Sequence, residues 1–67
     1  MKLNELKAEI VRKGLNIEDF AEKIGMTKTT LWRRFSETND FTLQEMTTIK
    51  QVLSLSNEKV LDIFFAD

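Results

Sequence analysis

The chain has 67 residues, of which 42% are apolar and 31% charged, with ten Lys/Arg against eleven Asp/Glu. It contains neither cysteine nor histidine, which excludes disulfides, thiolate metal sites and the side chain that most often moves protons at neutral pH. A single domain of this size (residues 1–67) buries only about 60% of its unfolded surface, so a small core and modest stability are expected.

No apolar run approaches the roughly 20 residues that a membrane-spanning helix needs. The opening Met1-Lys2-Leu3-Asn4-Glu5 lacks the continuous apolar stretch of a secretory signal. The expectation is a soluble, cytoplasmic protein with no membrane partner. Charge is unevenly spread. Residues 1–36 carry eight Lys/Arg and five Asp/Glu, whereas residues 37–67 carry two Lys and six Asp/Glu. A basic face and an acidic face follow from that asymmetry, and they offset the argument that a net charge of −1 makes against nucleic acid.

Periodicity and capping residues predict five short helices and no strand, an all-α fold. The first runs from Lys2 to Lys13, with Leu3, Leu6, Ile10 and Val11 on one stripe and Gly14 as its stop. The second runs from Ile17 to Ile24. Asn16 caps it, Glu18 and Asp19 complement the helix dipole in its first turn, Phe20, Ala21 and Ile24 form its inner face, and Gly25 ends it. The third runs from Lys28 to Ser36 behind the cap Thr27, with Leu31 and Phe35 facing inward. Glu37-Thr38-Asn39-Asp40 reads as the longest loop. Thr42 and Glu45 form a capping box at the start of the fourth helix, whose stripe is Leu43, Met46, Ile49, Val52 and Leu53. The fifth, capped by Ser56, runs from Asn57 to Phe65 with Val60, Leu61, Phe64 and Phe65 as its apolar residues.

The stretch from Ile17 to Ser36 carries the functional signal. Ala21 and Gly25 are four apart, and Leu31 lies six beyond Gly25. That spacing suits two helices that cross steeply over a short turn. Ala21 permits close approach, Gly25 adopts positive φ at the turn, and Leu31 fills the space between the helices, with Phe35 continuing the same face. With Leu31 and Phe35 inward, a helical wheel turns Thr29, Thr30 and Arg33 outward and leaves Lys28 at the exposed N-terminal end. A lysine there opposes the helix dipole, which hints at a purpose other than stability.

In these residues the chain resembles the phage Cro and CI-type repressors of the XRE-like helix-turn-helix family. The resemblance extends over nearly the whole chain and implies a five-helix Cro/CI-like domain. It implies that the third helix enters the major groove of a double-stranded DNA operator. Position by position, Lys28, Thr29 and Arg33 match base-reading positions, and their chemistry suits guanine O6/N7 and the thymine methyl. Thr27, Trp32, Arg34 and Ser36 are the candidate contacts to the DNA backbone. By the wheel Trp32 suits either the core edge or a DNA backbone. Phe64 and Phe65 suit either closure of the core or a dimer surface. The resemblance further implies a weak homodimer that reads two half-sites.

Three departures stand out. Ile17 occupies a position often held by a phosphate-contacting glutamine, Arg34 replaces a residue that is often apolar, and the loop holds Glu37 and Asp40. An acidic loop near phosphates weakens binding. The alternative reading is a protein-binding helix-turn-helix module that acts as an antirepressor or modulator on a partner repressor. Catalysis is not expected, nor any cofactor, metal or small-molecule substrate. The densest acidic group, Glu18, Asp19 and Glu22, reads as a solvated helix face, and no glycine-rich phosphate loop is present.

Overall fold

In chain order come α1 (Leu3–Arg12), α2 (Ile17–Lys23), α3 (Lys28–Arg33), a wider π-helical turn (Arg34–Thr38), α4 (Leu43–Leu53) and α5 (Asn57–Phe64). The structure, a computed structural model, describes residues 1–38 and 41–65, the side chains of Glu37 and Thr38 excepted. The described residues are all-helical and contain no strand. Of the expected loop over residues 37–40, Glu37 and Thr38 instead belong to the π-helical turn, while Asn39 and Asp40, like the side chain of Glu37, lie outside the described residues.

Helix starts follow the expected side chains. Asn16 Oδ1 accepts from the Asp19 N–H at 2.7 Å, Thr27 Oγ1 from the Thr30 N–H at 3.1 Å, and Ser56 Oγ from the Lys59 N–H at 3.0 Å. Thr42 Oγ1 accepts from the Glu45 N–H at 3.1 Å while Glu45 Oε1 accepts from the Thr42 N–H at 2.8 Å, a complete capping box. Each bond satisfies an amide that the helix itself leaves without a partner. α1 has no side-chain cap; instead the Lys2 N–H reaches across to the Ile63 carbonyl at 2.7 Å.

Three helix ends share one device. The Leu15 N–H bonds back to Ile10 O at 3.2 Å, Met26 to Ala21 O at 2.9 Å, and Leu55 to Lys50 O at 3.0 Å. In each case the preceding residue (Gly14, Gly25 or Ser54) takes positive φ, at 75°, 76° and 53°. The left-handed residue reverses the chain so that the next amide satisfies an otherwise orphaned carbonyl, and the apolar residue behind it folds inward. Gly14 and Gly25 meet this demand without a Cβ penalty. Ser54 meets it as the sole non-glycine at positive φ among the described residues.

One apolar cluster draws on all five helices. Leu6, Ile10, Phe20, Leu31, Ile49, Leu53 and Ile63 are essentially sealed from solvent. A chain of edge-to-face rings runs through it, from Trp32 to Phe35 at 5.7 Å, on to Phe41 at 6.3 Å, and then to Phe64 at 5.8 Å. The expected stripes differ from this in two respects. Val11 and Leu43 point outward, exposed by 72% and 75%. On α5 the sealed residue is Ile63, while Leu61 faces solvent. Both differences are rotations at the edge of an apolar arc, where composition alone does not fix the centre of the buried face.

A charged seam closes α1 onto α5. Lys2 Nζ donates to Asp62 Oδ1 at 2.7 Å, and Lys59 Nζ donates to Glu5 Oε2 at 3.1 Å with Glu9 nearby at 4.0 Å. Arg12 Nη1 donates to Glu9. The Lys2–Asp62 pair joins a lysine of the basic half to an acid of the acidic half, so a small part of the charge asymmetry seen in the sequence is neutralised internally.

Candidate nucleic-acid interface

α2 and α3 are joined by Ile24–Thr27, and the residues singled out by spacing meet around that turn. Ala21, Leu31 and Phe35 are buried. Gly25 has its φ at +76°, and a Cβ built there touches nothing within 4 Å. The turn therefore requires glycine for backbone conformation and not for space.

Leu31 anchors α3 to the core, and helical geometry then distributes the other side chains. Thr29 and Arg33, four apart, lie on the far side and are exposed. Lys28 is exposed at the first helical position. These three candidate base-reading residues share the solvent face of one short helix. Thr27 is exposed and acts as the cap; besides accepting the Thr30 amide, its hydroxyl donates to Thr30 Oγ1 at 3.0 Å.

Trp32 and the adjoining Arg34 tie the helix down on two flanks. Towards α1, Trp32 is 43% exposed. Its ring stands edge-to-face with Phe35 and lies 5.7 Å from the Lys7 ammonium. Of its two expected environments, Trp32 thus occupies the core edge while keeping one surface in solvent. Towards α4, Arg34 Nη2 donates to Glu45 Oε2 at 3.0 Å in a half-buried ion pair, and its buried Nε has no partner among the described residues. The expected backbone contact Arg34 thus has its guanidinium engaged by Glu45.

The third helix was expected to run regularly to Ser36; it widens at Arg34 into the π turn. Ser36 Oγ donates to the Trp32 carbonyl at 2.8 Å, the side-chain-to-backbone bond that loosens and bends a helix. Ser36 itself is exposed. On α5, Phe64 is half-buried and packs on the core through Phe41, whereas Phe65 is 60% exposed. The two adjacent phenylalanines therefore have separate roles, one inward and one outward.

Sequence reasoning passed over Lys7, Phe41 and Leu55. Leu55 had a legible signal, an apolar residue two beyond the end of a helix and next to a turn residue. Phe41 and Lys7 had none, because their contacts come from segments distant in sequence.

Comparison of the chain with protein-family models, with curated proteins and with solved structures returns no match.

Proposed function

We propose that the chain is a helix-turn-helix regulator of the phage Cro/CI-repressor type, acting in the cytoplasm of a bacterial host and reading double-stranded DNA with α3 in the major groove. The observation that carries this reading is the joint presentation of Lys28, Thr29 and Arg33 on the solvent face of α3, directly after a tight turn whose glycine has positive φ. Arg33 is the principal base reader, since its guanidinium can donate two hydrogen bonds to guanine O6 and N7. Lys28 and Thr29 contact adjacent base edges, while Thr27 and Ser36 lie toward the phosphates. A weak homodimer places two such helices on a two-fold operator.

The test is a selection from random duplexes followed by binding titrations across a salt series. Wild type should enrich one motif, and its affinity should fall steeply with salt. Arg33→Ala should weaken binding to that motif by about tenfold or more and relax preference at one base pair. No duplex binding at low salt overturns the reading.

A second reading, a protein-docking module acting on a partner repressor, is favoured by the outward-facing Leu61 and Phe65 on α5. It predicts a DNA-independent complex with that repressor that Phe65→Ala disrupts.

A further inference from the structure

A groove of about 400 Å³ opens between α1, the α1–α2 turn and α3. This is the size of small-ligand pockets, which are mainly apolar with a few placed polar groups. Its apolar surface comes chiefly from Val11, Leu15, Ile17 and Trp32, and its polar groups are Lys7 and Asn16. Val11 and Trp32, both part of its lining, are among the large apolar residues that stay exposed.

The polar pair is one-sided. Lys7 brings an ammonium that lies 5.7 Å from the Trp32 ring and 6.0 Å from the Phe35 ring, and an ammonium only donates. Asn16 already uses its Oδ1 to accept the Asp19 amide at 2.7 Å, so the group it has left to offer is its NH₂, again a donor. No carboxylate lines the groove. An apolar trough with one cation and one amide donor complements a molecule with an apolar body and a single anionic acceptor.

We propose that this groove binds a small amphipathic monocarboxylate, its apolar body against Val11, Leu15, Ile17 and Trp32 and its carboxylate at Lys7 Nζ and Asn16 Nδ2. Binding rests on the groove alone. Its consequence for DNA rests on the function proposed above, because Trp32 immediately precedes the base-reading Arg33 and a ligand packed on the indole restrains α3.

Trp32 is the sole tryptophan, so its emission reports on the groove directly. Octanoate and octanol share an apolar body of similar length and differ in charge. Octanoate should shift the Trp32 emission saturably at about millimolar concentration or below. It should also move the indole N–H and Asn16 side-chain amide signals in proton–nitrogen correlation spectra. Octanol should bind about tenfold more weakly, since a charge-assisted contact is lost. Lys7→Met should bring octanoate down to the level of octanol and leave octanol unchanged, while Lys7→Arg keeps the preference. Equal binding of the two probes by wild type overturns the proposal, as does the absence of a saturable response. A change in Trp32 emission on dilution without ligand also overturns it, since a second copy then covers the groove. Octanoate binding without DNA binding sinks the DNA reading and leaves the ligand site standing; DNA binding without octanoate binding does the reverse.

Discussion

Gly14 and Gly25 make a matched pair. Their φ angles are +75° and +76°, and a Cβ at either meets nothing within 4 Å. Alanine therefore introduces backbone strain without a clash. An L residue in the left-handed region costs about 1–2 kcal/mol, and the stiffer unfolded chain returns about 0.4–1 kcal/mol. The net destabilisation is about 1 kcal/mol at each site, which in a domain this small lowers Tm by about 4–8 °C. Gly14→Ala and Gly25→Ala should cost nearly the same by thermal and urea denaturation. Gly14→Asn and Gly25→Asn should cost less than alanine, because asparagine tolerates this conformation. A Gly25→Ala cost several times that of Gly14→Ala would show that α2 and α3 approach too closely for a methyl group, and the argument from φ would fail. No cost at either site would mean that the turns are not held as described.

Two further outcomes are expected. Ile63 is sealed in the core and Phe65 is 60% exposed, so Ile63→Ala should destabilise by about 2–5 kcal/mol while Phe65→Ala stays within about 0.5 kcal/mol; the opposite order in chemical denaturation would mean that α5 packs with a different face inward. The hydrogen bond from Lys2 is the largest influence holding the Asp62 carboxyl below its ordinary 3.8, and the same bond raises Lys2 above 10.5. A depressed acid contributes stability that is present above its unfolded value and lost as pH falls through its folded one. A raised lysine contributes stability that is present below its unfolded value and lost as pH rises through its folded one. The α1–α5 pair should therefore loosen below about pH 4 and again in strong alkali, with a small effect at these exposed positions that salt reduces further. A carboxyl NMR titration should place the Asp62 midpoint below 3.8, and Lys2→Met should move it up; an unchanged midpoint would remove the pair from the account.

Most of the helix boundaries were legible because they are written in local chemistry. Asn16, Thr27, Thr42 with Glu45, and Ser56 cap the helices they precede, and Gly14 and Gly25 end theirs. Such signals span three or four residues and need no knowledge of the rest of the fold. The exposed face of α3 was legible for a related reason. Once Leu31 and Phe35 are inward, the helical period alone turns Thr29 and Arg33 out. Nothing local distinguishes Ile63 from Leu61 on α5, or shows that Val11 stands clear of the core. Those outcomes depend on which neighbour each helix meets. Phe41 stands between the polar Asp40 and Thr42 in sequence, yet it is buried between Phe35 and Phe64 through contacts that the chain makes only after folding.

Arg34 shows where reading residues one at a time stops. As a cation on the third helix it reads as a phosphate contact, and Glu45 reads as half of a capping box. A carboxylate has two oxygens, and the box uses one of them: Oε1 holds the Thr42 amide while Oε2 accepts Arg34 Nη2. One glutamate thus fastens the residue that follows α3 to the start of α4. The π turn begins at Arg34 itself, and Phe35 within it is still buried. On the opposite flank Trp32 leans toward Lys7 of α1. With both flanks of α3 engaged by neighbouring helices, specificity on the proposed DNA reading falls to the outward edge. There, Arg33 rather than Arg34 is the guanidinium that can reach a base without first breaking a contact with Glu45.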